Sequence, residues 1–230
     1  MSLLVVTGLK RESRILAGPG IEAIACGGRA SLLEARIDEL AARATAILSI
    51  GLGGGLDPRL RPGSWVVAAA VSHDCALIET DRPWSARLER SLSGAFRGVI
   101  AGIDAPVASP AERAALAHAT GALAADMESH VAARVAARRG LPFAAARVIS
   151  DGAGRTLPAA ALAGMKADGG MDLLAVLAAL ARDPRQLPAL LLTAAEAGTA
   201  FRSLVDGRRL LGAALAAPRA DLAELPLDVV

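Results

Sequence analysis

Short apolar runs alternate with longer helical ones along the first part of the chain, and this alternation limits the fold more than any other sequence feature. The β-rich runs Leu3–Thr7, Ile21–Cys26 and Ala46–Ile50 are separated by a polar stretch and by a predicted helix from about Ser31 to Arg43. Strands that are joined through helices lie mainly parallel in one sheet, with the helices packed on its faces. The pattern therefore predicts an α/β fold, with a central mixed β-sheet flanked by helices.

Caps and turns indicate the elements that follow. Ser109 and Glu112 form a capping box for one helix, and Gly140-Leu141-Pro142 is typical of a helix end. The apolar run after this proline has the length of a buried strand. These signals predict, in chain order, strand Trp65–Val71, helix Pro110–Thr120, helix Asp126–Arg139 and strand Phe143–Ile149.

The chain turns helical after Asp151. Helices are expected at Pro158–Ala167, Met171–Ala181, Pro188–Ala197 and Ala200–Leu215. Charged residues interrupt the apolar runs well before the roughly 20 residues that a membrane span needs. We therefore expect a main domain of residues 1–182 and a C-terminal helical extension of residues 183–230. The leucines of this region could pack against other helices, form an oligomer interface or contact a membrane surface.

The bulk composition excludes several classes of protein. Hydrophobic residues make up 53% and charged residues 21%, which is typical of a folded globular chain. The net charge is only +2, and the basic residues are scattered, so we expect no nucleic-acid partner. Cys26 and Cys75 are too few for a disulfide framework and are expected to be free, buried thiols. Without a signal peptide at the N-terminus, the sequence predicts a cytoplasmic protein.

The histidines do not form a metal-ligand pattern. His118 and His130 lie on predicted helices, far in sequence from any set of cysteines or carboxylates with metal spacing. The pair His73-Asp74 could reach a ligand from a loop, although a structural or solvated pair explains it as well. No metal site is therefore expected.

Two acidic motifs carry the chemistry. Glu128, in Asp126-Met127-Glu128-Ser129, lies near a helix start, where the dipole favours an ionised carboxylate that could accept hydrogen bonds from two adjacent hydroxyls. It could equally just complement the dipole. Asp151 ends a buried strand, so we expect a half-buried carboxyl group that could act as a general acid, or else a turn residue. Together the two acids suit cleavage of a sugar–base bond.

The glycine-rich segment Ser49–Leu56 follows a predicted strand and is expected to form a loop. Its bare N–H groups could lie against a sugar, a phosphate or a base, and Gly53 and Gly54 are candidate contacts. The segment has neither the lysine of a P-loop nor the spacing of a dinucleotide fingerprint. A plain tight turn is about as good an interpretation.

These motifs together resemble a known family. Gly8, Gly51–Leu56, Ile103-Asp104-Ala105, Asp126–Ser129 and Val148–Gly152 match, in order and spacing, the superfamily of purine nucleoside phosphorylases and methylthioadenosine/adenosylhomocysteine nucleosidases. The resemblance covers roughly residues 3–180. Within the superfamily, the start Thr7–Glu12 and the leucine-rich C-terminal helices look most like the hopanoid-associated phosphorylase, whose expected substrate is adenosylhopane.

The resemblance implies a phosphorylase-like three-layer fold, with residues 1–182 as the catalytic domain, and cleavage of the N-glycosidic bond of an adenine nucleoside. It implies that Glu128 holds the ribose hydroxyls above Met127, and that Asp151, aided by Ser150, protonates N7 of the departing base. Pro106 and Val107 would border the base, where relatives often place a phenylalanine.

The resemblance leaves the attacking group open. Glu12 is a candidate to order a water molecule, as in nucleosidases, whereas Gly8, Arg11 and Arg14 are candidates to hold phosphate, as in phosphorylases. Inorganic phosphate is thus a possible co-substrate, and no other cofactor is expected. The expected partners are a purine nucleoside with a large apolar 5′ substituent and further copies of the chain. A methylthioadenosine/adenosylhomocysteine nucleosidase and a non-catalytic nucleoside-binding protein are the alternatives.

Overall fold

The computed structural model describes residues 2–25, 30–164 and 169–218. The strands are β1 Ser2–Thr7, β2 Ile21–Ala25, β3 Ala44–Gly55, β4 Trp65–His73, β5 Ala76–Glu79, β6 Phe96–Gly102, β7 Ala122–Asp126 and β8 Phe143–Asp151. The helices are α1 Lys10–Leu16, α2 Ala30–Ala41, α3 Arg82–Ser91, α4 Pro110–Thr120, α5 Ser129–Arg139, α6 Ala159–Ala163, α7 Leu173–Arg182 and α8 Leu187–Leu210. Cys26, the last residues of the predicted helix Pro158–Ala167 and the tail 219–230 lie outside the described residues. Cys75 is exposed, which corrects the expected buried thiol.

The strands form one eight-stranded mixed sheet, as the sequence predicts. The order is β2-β1-β3-β7-β6-β4-β5, and β8 pairs with both β3 and β4. The pairs β1/β2, β1/β3, β3/β8, β4/β6 and β6/β7 are parallel, and β3/β7, β4/β5 and β4/β8 are antiparallel. Because β8 joins β3 to β4, the strands β3, β7, β6, β4 and β8 close into a ring of pairings.

Two apolar layers cover the sheet, so the three-layer prediction is confirmed. Side chains alternate between the faces of a strand. In β1, Leu4 and Val6 belong to a cluster that includes buried residues of α2 and α5. Leu3 and Val5 belong to a second cluster that includes residues of α1, α3 and α8. Burying one such side chain contributes about 1.5–3 kcal/mol, and this burial fixes which face of each strand the helices cover.

The C-terminal helix is longer than predicted and joins the second cluster. Gly198 does not end a helix, because one glycine costs only about 1 kcal/mol in a helix interior and α8 is anchored in the second cluster by Phe201 and Leu204. The indole N–H of Trp84 donates to the Leu215 carbonyl at 3.2 Å, which ties the following segment to α3. The domain boundary after residue 182 stays a prediction. Within the described residues, no helix combines the length and apolarity that crossing a membrane requires.

Candidate active site

The acidic motifs lie at the ends of two strands that flank β3. Gly54 of β3 pairs with Ala125 of β7 on one side and with Asp151 of β8 on the other. Neighbouring strands lie about 4.8 Å apart, so the backbones at Ala125 and Asp151 are roughly 10 Å apart. Asp126 and Asp151, the last residues of β7 and β8, therefore lie on either side of the same short stretch of β3.

The turn from β7 into α5 is built on Asp126. Its Oδ1 accepts hydrogen bonds from the backbone N–H groups of Glu128 at 2.9 Å and Ser129 at 2.7 Å. These bonds hold Asp126 at the end of the strand, so the predicted helix start at Asp126 is wrong, and α5 begins at Ser129. Glu128 occupies the N-cap position but makes no side-chain cap hydrogen bond, which leaves its carboxyl group for the site.

A buried arginine organises the acids. Arg147, on β8, is fully buried; its Nε donates to Asp126 Oδ2 at 2.6 Å and its Nη2 to Ser49 Oγ at 2.7 Å. The same Nη2 lies 3.7 Å from Glu128 Oε2. A charge in the interior needs such partners, because burying it alone is very costly. Sequence reasoning missed Arg147, although a single arginine inside an otherwise apolar strand was a usable signal.

Glu12 faces the glycine run from α1. Its side chain is buried, and its two carboxylate oxygens accept hydrogen bonds from the backbone N–H groups of Leu9 and Leu52, each at 2.7 Å. Burial raises the pKa of Glu12 above its ordinary value of 4.5, and the Leu52 and Leu9 N–H groups and the Arg147 charge limit the rise. A carboxylate with a raised pKa is better matched to a general base near neutral pH than an exposed one.

The glycine run is strand rather than loop, which corrects the prediction. Gly51, Gly53 and Gly54 lie within β3 and pair with β8. A β-carbon added at Gly51 would lie 2.9 Å from the Glu12 carboxyl carbon, and one at Gly53 would lie 3.2 Å from the Arg147 β-carbon. The glycines thus let charged side chains pack directly against the strand backbone. Gly8 has a similar place, since an added β-carbon would lie 2.8 Å from Glu128 Oε1.

The raised pKa of Glu128 favours a protonated carboxyl group at neutral pH, whereas the helix dipole alone predicts an ionised one. Burial, and then the negative charge of Asp126, raise the pKa of Glu128 to about 8, although Arg147 opposes the shift. The dipole effect at a helix start is worth only about 0.3–1 kcal/mol, less than the cost of burying a second carboxylate beside Asp126. A protonated Glu128 can both donate and accept a hydrogen bond, which suits a pair of sugar hydroxyls.

This shift predicts how stability changes with pH. In the unfolded chain Glu128 ionises near 4.5, and in the folded protein near 8. Its contribution to folding stability is therefore fully present below pH 4.5 and is lost as pH rises to 8. Glu128→Gln should melt roughly 10 °C above the wild type at pH 8.5, with a small difference at pH 5. Melting curves at both values check this, with the exposed Glu39→Gln as control; an equal difference at both would contradict it.

Asp151 is held from both sides. The Arg113 guanidinium of α4 forms a buried ion pair with Asp151 Oδ2, and the Ser150 hydroxyl donates to Oδ1 at 2.5 Å. Arg113 also donates to the Gly55 carbonyl at 3.2 Å. These contacts orient the carboxyl group and connect α4 to the ends of β3 and β8. Sequence reasoning missed Arg113, because nothing in the α4 sequence shows that it faces β8.

Of the remaining predicted residues, three lie on the segments that follow β7 and β6, and two are arginines of α1. Met127 and Val107 are half-buried and Pro106 is exposed, on the segments that follow β7 and β6. Arg11 stacks on the Phe201 ring, 4.1 Å from its centroid. Arg14 is exposed and has no ion pair or hydrogen bond with any described residue. Within the described residues, neither arginine forms an ion pair with Glu12, Glu128 or Asp151.

The matches to known proteins agree with this architecture. The family model described as the phosphorylase superfamily matches residues 3–182, most of the chain. The chain belongs to the phosphorylase superfamily. It is therefore an enzyme of the phosphorylase and nucleosidase kind, which cleaves nucleosides. No curated protein sequence matches the chain.

Solved structures share the fold of this superfamily member. S-adenosylhomocysteine nucleosidase from Streptococcus pyogenes, in complex with 5-methylthiotubericidin, is 21% identical with a TM-score of 0.58, covering 67% of this chain and 85% of that one. The 5′-methylthioadenosine/S-adenosylhomocysteine nucleosidase of Streptococcus pneumoniae is 16% identical with a TM-score of 0.60, covering 92% and 100%. Futalosine hydrolase of Helicobacter pylori is 18% identical with a TM-score of 0.57, covering 90% and 97%.

Proposed function

We propose that this phosphorylase-superfamily enzyme hydrolyses the N-glycosidic bond of an adenine nucleoside. The observation that carries the proposal is the buried cluster of Glu12, Glu128 and Arg147 beside β3, the strand with which Asp151 of β8 pairs. These groups supply a base, a hydroxyl-binding carboxyl and an acid on adjacent elements.

The reaction divides between the two ends of the site. In its protonated form Asp151, oriented by Ser150, gives a proton to N7, and the electrons of the C1′–N9 bond leave with adenine. The Arg113 ion pair stabilises the Asp151 carboxylate that remains. The sugar carbon becomes oxocarbenium-like while Glu128 holds the ribose hydroxyls. Glu12 takes a proton from water, and the resulting hydroxide bonds to C1′. General acid and base steps of this kind each contribute about 10²–10⁴-fold.

Water is favoured over phosphate by the local charges. Among the described residues, the cation that lies beside Glu12 and Glu128 is Arg147, which Asp126 and Ser49 already bind. A phosphate dianion at the cluster would face the Glu12 carboxylate, which must be ionised to act as the base, whereas Arg11 stacks on Phe201 and Arg14 is exposed. Like charges at close range raise the cost of binding an anion, so phosphorolysis is the weaker alternative.

We further propose a large apolar 5′ substituent, as in adenosylhopane. The Gly169 carbonyl accepts a hydrogen bond from Lys10 N at 3.0 Å, and Gly8 borders Glu128. The segment leading into α7 therefore lies beside the sugar-binding carboxyl. From there α7 presents Leu173, Leu174 and Leu177, which are 68%, 79% and 60% exposed. Such a surface near a small-molecule site supports an apolar ligand or partner.

An adenine-release assay tests both parts. Purified enzyme should release adenine from adenosylhopane faster than from methylthioadenosine or adenosylhomocysteine, at the same rate with and without phosphate, and the product should be the free sugar. Faster turnover of methylthioadenosine would favour the nucleosidase alternative. A sugar 1-phosphate product would overturn hydrolysis, and binding of these nucleosides without adenine release would overturn the proposal that the substrate is an adenine nucleoside.

A further inference from the structure

The exposed large apolar side chains are concentrated on one short segment. Among the described residues ten such side chains are exposed, and seven of them lie between positions 171 and 192: Met171, Leu173, Leu174, Leu177, Leu187, Leu191 and Leu192. Single exposed residues of this kind are normal on a protein surface, whereas a concentration of them marks an interaction site. We call these seven residues the leucine surface.

The outward face of α7 is apolar along its length. Its exposed residues share one face because they are three and four positions apart: Leu173, Leu174, Leu177, Ala178 and Ala181. Val176 faces inward, since a β-carbon added at Gly164 would lie 2.5 Å from a Val176 methyl carbon. A helix that is apolar all round is normally buried. The outward face of α7 therefore suits contact with an apolar phase.

Hydrogen bonds hold this surface in place. The Asp172 carboxylate caps α7 by accepting from the Ala175 N–H at 3.1 Å, and the Asp172 N–H donates to the Gly164 carbonyl at 2.8 Å. Between α7 and α8, Gln186 Oε1 accepts from the Ala160 N–H of α6 at 2.9 Å. The leucines are thus presented on a preformed support, so contact needs little ordering of the backbone.

Two arginines border the leucine surface. Arg182 lies four residues after Ala178 on α7, and Arg185 lies in the short turn between α7 and α8. Both are exposed, and neither forms an ion pair with any described residue. The acid between them, Asp183, already accepts from the Arg185 N–H at 3.2 Å and from the Gln186 amide at 3.4 Å. The two guanidinium groups can therefore bind anionic groups outside the chain.

An anionic lipid surface fits this pattern better than a second copy of the chain. In a two-fold dimer the same surface is buried against itself, so the arginines of both copies would lose water without gaining an acid, which is costly. At a bilayer, leucines enter the boundary of the acyl chains while arginines stay among the headgroups and are attracted by anionic lipids. The net charge of +2 adds no repulsion.

The leucine surface begins beside the sugar-binding carboxyl group. A β-carbon added at Gly169 would lie 2.5 Å from the Gly8 carbonyl oxygen, and Gly8 borders Glu128. Helix α7 starts four residues after Gly169. A substrate with a large apolar 5′ substituent partitions into a bilayer, so an enzyme bound there can take it up without moving that substituent through water. This uptake rests on the proposed function, whereas the surface itself does not.

We propose that α7 and the first half of α8 bind the surface of an anionic lipid bilayer through the leucine surface, with Arg182 and Arg185 among the headgroups. The two helices lie along the boundary between headgroups and acyl chains. In this position the start of α7 holds the site close to the lipid.

Vesicle flotation of the full-length protein, without nucleoside, tests the proposal. The protein should float with vesicles of equal parts phosphatidylglycerol and phosphatidylcholine. Leu174→Ser combined with Leu177→Ser should weaken this binding about tenfold or more. Arg182→Gln combined with Arg185→Gln should weaken it about fivefold to twentyfold, with a smaller effect on vesicles of pure phosphatidylcholine. Added salt should weaken the wild type more than the arginine variant.

Matched variants elsewhere on the chain serve as controls. Leu32→Ser combined with Leu210→Ser removes two leucines that are exposed to a similar extent on other parts of the chain. Arg90→Gln removes an exposed arginine of α3. Both controls should float like the wild type. Melting curves should show that every variant folds, because surface substitutions of this kind change stability little.

Failure of the wild type to float would overturn the proposal. A dimer that the leucine variant dissociates, measured by light scattering, would then assign the surface to a second copy, and a monomer would mean that the chain itself covers it. Equal flotation of the leucine variant and the wild type would overturn it as well. Because no nucleoside is present, failure of the adenosylhopane assay would not change this result, and loss of flotation would not change the assignment of glycosidic cleavage.

Discussion

Asp151→Asn should lower kcat for adenine release by about 10²–10⁴-fold while the variant still binds adenine. Asparagine keeps the size of the side chain and its hydrogen-bonding oxygen, but it cannot deliver a proton to N7. The bond to the base must then break with a poorer leaving group, so the loss falls on kcat rather than on KM. Single-turnover kinetics with the nucleoside and calorimetry with adenine separate these two effects.

The ion pair with Arg113 requires a stability control for this variant. Removing one partner of a buried pair leaves the other charge uncompensated and can cost about 3–5 kcal/mol. Asp151→Asn should therefore melt below the wild type, and the double variant with Arg113→Met should recover part of that loss without recovering activity. Asp206→Asn, on the exposed side of α8, should change neither property. Wild-type turnover by folded Asp151→Asn would remove Asp151 from the acid role.

The sequence signals that single out the acids are local. Asp151 follows an apolar strand, and the capping box of α4 specifies that helix from Ser109 to Thr120. The partners of the acids come from distant segments: Arg147 reaches Asp126, and Arg113 reaches Asp151. Local propensity and periodicity carry no information on such pairs, so the pairing of each acid with its arginine could not be predicted.

The strands β6 and β7, which the sequence did not predict, also depend on contacts between distant segments. β7 is a run of alanine and leucine that ends in Asp126, and alanine has low strand propensity. β6 contains Arg97 and Gly98, which weaken its strand pattern. Pairing with neighbouring strands stabilises both. The glycine run was misread for the opposite reason, since glycine normally marks turns, whereas here it makes room for Glu12 and Arg147 against an extended strand.

Glu12→Gln should reduce kcat by about 10²–10⁴-fold, and the loss should be the same with and without phosphate. Glutamine can keep the contact with the Leu52 N–H group, but it cannot take a proton from water. Arg11→Ala and Arg14→Ala serve as matched tests of the phosphate alternative, because both side chains lie on the same helix as Glu12. They should retain near wild-type turnover; a large loss in either that appears only with phosphate would contradict hydrolysis.

The pH dependence of kcat/KM tests independently whether Glu12 is the general base. A general base acts in its ionised form, so kcat/KM of the wild type should fall as pH drops through the raised pKa of Glu12, which lies above 4.5 because the side chain is buried. In Glu12→Gln this acid limb should disappear, and the residual rate should be flat over the same range. Persistence of the limb in the variant would assign it to another group and leave Glu12 with a structural role at the Leu9 and Leu52 amides.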